Sequence, residues 1–272
     1  MKFSISLFII IFLNLQGCTN KPTPLKVQPQ SYAMQNKQTN LKQTKTMDSE
    51  DDFEDEFAAK DSKEVSDPLS GYNRVMTSFN DKVFTYALDP LSRGYAYVIP
   101  EGIRESVSNV IHNIEFPIRF ANNLLQGKFK NSADELGRFV FNSTIGIAGL
   151  FDPASSQLNI PAHNEDFGQT LGYYGVASGY HVVLPFLGPS NVRDIIGLTA
   201  DAYTSPLVYQ RGLKDYKIPN NYGQGIGIYA GKIINKNSLH LGAYESLKKD
   251  AIDLYPFLRD IYEEKRISDI AE

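Results

Sequence analysis

The chain has 272 residues, 42% of them hydrophobic and 21% charged, with a formal net charge of −4. That length allows one large domain or two small ones, and the acidic balance, with no basic patch or aromatic RNA-binding signature, excludes nucleic acid as a partner. Tyr and Phe number 16 each while Trp is absent, an aromatic load that suits a surface half wet and half apolar.

At the N-terminus, Lys2 is followed by apolar Phe3 to Leu15 and by Leu15-Gln16-Gly17-Cys18. This resembles a bacterial lipoprotein signal over residues 1–17. Small Gly17 gives a peptidase access to the bond before Cys18, whose thiol is the expected lipid attachment site. Cys18 is the sole cysteine, so no disulfide holds the exported domain and packing must do so. Thr19 stands where an Asp would signal inner-membrane retention, which implies the outer membrane.

Residues 18–66 read as a lipidated, disordered tether. Thr19 to Met47 carries lysines at 21, 26, 37, 42 and 45 and no acids, and Asp48 to Asp67 then carries ten acids against Lys60 and Lys63. As a random coil the tether spans about 40 Å root-mean-square, so it does not pin the domain. The remaining domain, residues 67–272, is close to neutral.

Helical signals follow one another through that domain. Asp67-Pro68 predicts a capped start, and Leu69, Tyr72, Val75, Met76, Phe79, Val83 and Leu88 recur near helical spacing until Asp89-Pro90, where the run is expected to end. A second amphipathic helix is predicted over Glu101–Glu115, and a short third one over Ile118–Gln126, stopped by Gly127. Ser132-Ala-Asp-Glu135 fits a capping box, and the helix it opens is expected to run on through uncharged Phe139 to Phe151 as far as Asp152-Pro153. Val192, Ile195, Ile196, Thr199 and Ala200 give another helical face, and Leu254, Phe257, Leu258, Ile261 and Tyr262 a last one.

Between Phe167 and Val192 lie 26 residues without Lys, Arg, Asp or Glu. Gly168, Gly172, Gly175 and Gly179 step by 4, 3 and 4, which on a helix forms one side-chain-free stripe where another backbone can approach closely. Tyr180 to Leu184 is a short strand candidate, and Gly188-Pro189-Ser190 reads as a turn and helix cap. These signals predict an all-α fold with more apolar stripes than one compact core needs.

Reactive constellations are missing from the pattern. His112, His163, His181 and His240 have no metal-ligand spacing, and neither a nucleophile elbow nor a phosphate loop is present. Gly225-Ile-Gly227-Ile-Tyr-Ala230 fits a loose dinucleotide pattern, but no apolar strand precedes it. Neighbouring Glu165 and Asp166 point in different directions on a helix and suit the start of a helical turn better than an acid–base pair. Arg193-Asp194 at the far end of the uncharged stretch is placed to pair across it.

Read in order, Asp67-Pro-Leu-x-Gly-Tyr-Asn73-Arg74, Phe79-Asn80, Asn122-x-Leu-Leu-Gln126-Gly127, Arg138-Phe139 and Asn142-Ser-Thr-Ile-Gly146 resemble the MlaA (VacJ) lipoproteins of Gram-negative outer membranes. Gly149-Leu-Phe-Asp152, Glu165-Asp166-Phe-Gly-Gln169-Thr-Leu-Gly172, Leu184-Pro185, Gly188-Pro-Ser190, Arg193-Asp194 and Asp253-x-Tyr255 with Arg259 and Tyr262 extend the resemblance. It implies a ring of short amphipathic helices embedded in the inner leaflet of the outer membrane. Such a ring takes mislocalised phospholipid from the outer leaflet through an amphipathic channel and passes it to a periplasmic carrier of the Mla pathway. In some bacteria it sits beside trimeric porins. The protein is then no enzyme and needs no cofactor or metal, and the expected structural or channel positions are Asn73, Arg74, Asn122, Gln126, Arg138, Asn142, Glu165, Asp166, Gln169, Arg193 and Asp194. The chain departs from the pattern at Gly179-Tyr180-His181, where the family often has Gly-Pro-Tyr, and at Tyr174, where a Trp is common. A structural lipoprotein that scaffolds a porin or another barrel is the alternative.

Overall fold

A computed structural model describes residues 67–213 and 216–272. The signal segment, Cys18 and the tether lie outside the described residues. The described part is mostly helical: α1 (Ser70–Val83), α2 (Asp89–Val98), α3 (Glu101–Ile114), α4 (Phe116–Leu125), α5 (Phe129–Thr144), α6 (Pro153–Ser156), α7 (Phe167–Tyr173), then after a hairpin α8 (Val192–Thr204), α9 (Tyr222–Ser238), α10 (Ala243–Asp250) and α11 (Leu254–Ala271). Among these residues no helix is long and apolar enough to cross a membrane.

Several boundaries differ from the sequence reading for identifiable reasons. The first helical run does not stop at Asp89-Pro90, because a π-helical turn over Phe84–Leu88 leads into α2 and Pro90 sits in the first turn of that helix, where its missing N–H costs nothing. Asp67 caps no helix. It accepts instead from the Tyr255 hydroxyl and the Asn73 amide. The Ser132 box fails because α5 starts a turn earlier, leaving the Ser132 hydroxyl buried and unpartnered while Glu135 turns to Arg119. A true capping box opens α7, where Asp166 accepts from the Gln169 amide at 2.8 Å and the Gln169 side chain accepts from the Asp166 amide at 2.7 Å. Helix α5 also ends sooner than expected, at Thr144. Beyond it Ile147, Ala148 and Gly149 all take positive φ, a left-handed turn that lets the Gly149 amide reach the Asn142 carbonyl at 2.8 Å.

Within the uncharged stretch, only Gly168 and Gly172 belong to a helix; Gly175 and Gly179 adopt positive φ in the loop that follows. The close seam exists nonetheless, with Gly197 of α8 as the partner. A Cβ on Gly197 would fall 2.4 Å from the Gly168 nitrogen. Strand β1 (His181–Leu184) agrees with the strand candidate, and it pairs antiparallel with β2 (Gly188–Asn191), His181 facing Asn191 and Leu184 facing Gly188. Gly188-Pro189-Ser190 is therefore strand. The turn lies at Pro185–Leu187, and the Asn191 side chain, accepting from the Asp194 amide at 2.9 Å, caps α8. Helices α9 and α10 carry sequence patterns too mixed to be read beforehand, and the Gly225–Ala230 segment lies inside α9.

Burial is inverted relative to a water-soluble domain. Among the described residues the buried hydrophobic ones are Ala154, Val183, Leu207 and Tyr255, whereas the buried polar ones include Asn73, Arg104, Arg119, Asn122, Asn123, Glu135, Arg138, Gln169 and Asn191. Helix α3 illustrates the reversal: Arg104 and Asn113 are buried while Ile103 is exposed. Large side chains such as Tyr86, Tyr97, Phe129 and Ile226 stand mostly in the open.

Candidate functional site

Polar packing fixes the walls of one cavity. The Glu135 carboxylate, completely buried on α5, accepts from Arg119 Nε of α4 at 2.7 Å and from the His163 amide at 2.7 Å. In a second cluster Asp166 at the start of α7 and Asp194 at the start of α8 are joined by Arg266 of α11, with four bonds of 2.8–2.9 Å. Tyr262 adds its hydroxyl to Asp194 at 2.6 Å and Arg193 its Nε at 3.0 Å. Burial pushes the Asp194 carboxyl up, but the hydrogen bonds from Arg266, Arg193 and Tyr262 outweigh it and hold the group below the usual carboxylate range. Burial likewise raises the Tyr262 phenol, and its bond to Asp194 raises it further.

Arg119 and Asp166, fixed in this way, line a cavity of about 750 Å³ whose other residues come mainly from α8, α9 and the chain between them. Its lining is apolar at Ile118, Leu198, Leu207, Tyr209, Ile226 and Tyr229, and polar at His112, Glu115, Arg119, Glu165, Asp166, Asp201 and Lys232. Desolvation, reinforced by the charge of Arg119, lowers the His112 pKa to about 4, so the ring is neutral at ordinary pH. Burial pushes the Asp201 carboxyl up to about 6 against the hydrogen bonds it receives. Glu165 is held by Gln126 at 2.8 Å and Lys128 at 2.7 Å, while Glu115 pairs with Lys232. A space lined by both apolar and charged side chains suits an amphiphile, which has one part for each.

The residues singled out from sequence fall into three groups. Asn122, Gln126, Glu165, Asp166, Gln169, Arg193 and Asp194 converge where α4, α7 and α8 meet, with Thr170 linking Asn122 and Gln126. Of these, Glu165 and Asp166 line the cavity; the others hold the wall from behind. Arg138 and Asn142 of α5 form a second cluster on Asp152, at 2.7 and 2.9 Å, and Asn142 also accepts from the Ala154 amide. Asn73 is a third: it fastens α1 to β1 through the His181 carbonyl and the Val183 amide, and to α11 through Tyr255. Arg74 pairs with Asp253 at the surface. Pairing across the uncharged stretch does occur, but through Arg266, not directly between Asp166 and Arg193. Sequence reading missed Arg266, Asp201 and Lys232, because isolated charged residues on amphipathic helices look like solvent-facing ones until the inverted burial is known; His112 was weighed only as a metal ligand.

Comparison with known proteins settles the family. The family model described as MlaA lipoprotein matches residues 65–269. The chain belongs to the MlaA lipoprotein family. Among MlaA relatives, the intermembrane phospholipid transport system lipoprotein MlaA of Haemophilus influenzae is 34% identical over 147 residues, 52% of this chain and 59% of its own. Its Escherichia coli K12 counterpart is 36% identical over 141 residues, 51% of this chain and 56% of its own. A Rickettsia felis protein is 31% identical over 197 residues, covering 72% of this chain and 74% of its own length. A chain solved for the structural basis for maintenance of bacterial outer membrane lipid asymmetry superposes with a TM-score of 0.64 at 28% identity, covering 75% of this chain and 99% of that one.

Proposed function

We propose that this MlaA-family protein is a lipid conduit: it takes phospholipid misplaced in the outer leaflet of the outer membrane and lets it pass through the cavity toward a periplasmic carrier of the Mla pathway. No bond is made or broken. The observation that carries the reading is the inverted burial. Each large apolar side chain left in water forfeits roughly 1.5–3 kcal/mol, so dozens of them are tolerable only where hydrocarbon replaces water. The helices suit a single leaflet. Even α11, with 18 residues, is roughly 27 Å long, short of the hydrocarbon thickness of about 30 Å, and every helix satisfies its own backbone.

Lipidation at Cys18 anchors the chain to the inner leaflet, and the exposed apolar faces leave room for a trimeric porin beside it. The relatives' names as phospholipid transport lipoproteins support the same reading. The decisive test is transfer of labelled phospholipid out of vesicles by the full-length protein together with its periplasmic carrier. Transfer is expected, and its absence under every partner condition would leave a porin scaffold as the better account. In cells, deletion of the gene should raise outer-leaflet phospholipid, and Cys18→Ala should release the protein from the membrane fraction or leave it unprocessed.

A further inference from the structure

If phospholipid passes through the cavity, its headgroup meets the ionic groups of the lining, and nearly every one of those is neutralised within the protein. Glu115 faces Lys232, Arg119 faces Glu135, Glu165 faces Lys128 and Asp166 faces Arg266. His112 is neutral. Asp201 is different. Its two oxygens accept only from uncharged donors, the Asn122 amide at 3.0 Å and the Phe167 backbone N–H at 3.0 Å, and no described Lys, Arg or His stands within ion-pair distance of it. Lys217, whose ammonium reaches the same end of α8, is committed to the carbonyls of Ala202, Tyr203 and Ser205 at 2.7–2.9 Å.

A carboxylate held in a half-desolvated cavity without a counter-ion is a standing electrostatic cost. A cation entering the cavity relieves it, and an anion worsens it. Each Asp201 oxygen receives one hydrogen bond and has a lone pair left for another donor. On the same lining apolar Leu207, Ile226 and Tyr229 offer a surface to acyl chains.

We propose that Asp201 is the docking point for the ammonium of a zwitterionic phospholipid headgroup, ethanolamine lipids above all, and that it discriminates against lipids whose headgroup carries only the phosphate charge. The assignment rests on the conduit reading and adds a selectivity to it. The primary ammonium donates to Asp201 and supplies the counter-charge that no side chain of the lining gives it. A glycerol headgroup supplies no positive charge and leaves Asp201 uncompensated.

The test places acyl-labelled phosphatidylethanolamine and phosphatidylglycerol of matched chains in the same vesicles and follows both as the full-length protein and its carrier remove them at pH 7.5. The wild type is expected to favour the ethanolamine lipid about fivefold, the factor equivalent to about 1 kcal/mol. Asp201→Asn, which keeps the shape and removes the charge, should bring the ratio close to one while phosphatidylglycerol transfer persists or rises. Asp201→Glu should keep a preference. Equal wild-type rates would overturn the assignment without any variant being made, as would an Asp201→Asn protein that slows both lipids equally and keeps their ratio. If the wild type moves neither lipid, the conduit reading falls too, which distinguishes the two failures.

Discussion

Replacing Glu135 by Leu should be among the most damaging single changes in the folded domain. The carboxylate is fully buried and is the shared acceptor for Arg119, itself almost buried, and for the His163 amide. Its loss leaves the Arg119 guanidinium desolvated, with one remaining bond to the His112 carbonyl at 2.9 Å. Breaking a buried pair from one side costs about 3–5 kcal/mol. In a domain of this size, each kcal/mol shifts the melting temperature by roughly 2–4 °C, so a fall of about 10 °C is expected. Far-UV circular dichroism of the protein in detergent micelles measures it without Trp, which the chain lacks. The companion variant Glu135→Leu with Arg119→Met should recover most of the loss, because a well-packed apolar pair replaces the ionic one. A single variant within about 1 kcal/mol of wild type would refute the reasoning, since surface ion pairs are worth no more than that.

Further outcomes follow from other parts of the structure. Asp201 has a folded pKa above its unfolded one, so between about pH 4 and about 6 the folded state binds more protons than the unfolded, and stability falls as pH rises through that window. Asp201→Asn should remove that slope and leave the protein at least as stable at neutral pH, by urea titration at several pH values. Asp194 behaves in the opposite sense. Its folded pKa is depressed, so its contribution is complete above the unfolded value near 4 and is lost as pH falls through the folded one; Arg266→Met should weaken that acid dependence in the same titrations. Gly197→Ala should abolish normal accumulation of the protein, because the added Cβ meets backbone of α7 and not a movable side-chain end; wild-type levels in membranes would show that the two helices can part without cost. Phe129→Asp, on an exposed position of α5, should leave cavity geometry and micellar stability intact yet weaken partition into phospholipid vesicles, measured by flotation.

How much of this was legible beforehand depended on which signal a residue leaves in sequence. Periodicity located α1, α3, α8 and α11, because their apolar faces repeat at helical spacing regardless of whether water or lipid covers them. That same indifference hid the site. Arg104, Asn113 and Glu135 occupy positions that a soluble protein gives to solvent, so nothing local marks them as interior. The Ser132 box misled for a related reason: Ser and Glu at that spacing satisfy a cap in water, but Glu135 has a stronger partner in Arg119. Arg266 was invisible since its two carboxylate partners lie 100 and 72 residues away, a separation no local pattern records. The family motifs did name Asn122 and Gln126 in one stretch and Glu165 in another; only the fold joins Gln126 to Glu165 directly and to Asn122 through Thr170.

The inverted interior also shapes the thermodynamics of the fold. Unfolding a water-soluble domain uncovers apolar surface and raises the heat capacity, which gives stability its pronounced dome against temperature; uncovering polar surface lowers it. Here the groups that separate on unfolding in a lipid or micellar host are chiefly amides, carboxylates and guanidinia, while the apolar exterior stays solvated by hydrocarbon in both states. The stability curve should accordingly be shallow, with little tendency to cold denaturation. A protein built this way should hold its buried polar clusters in register over a wide span of temperature.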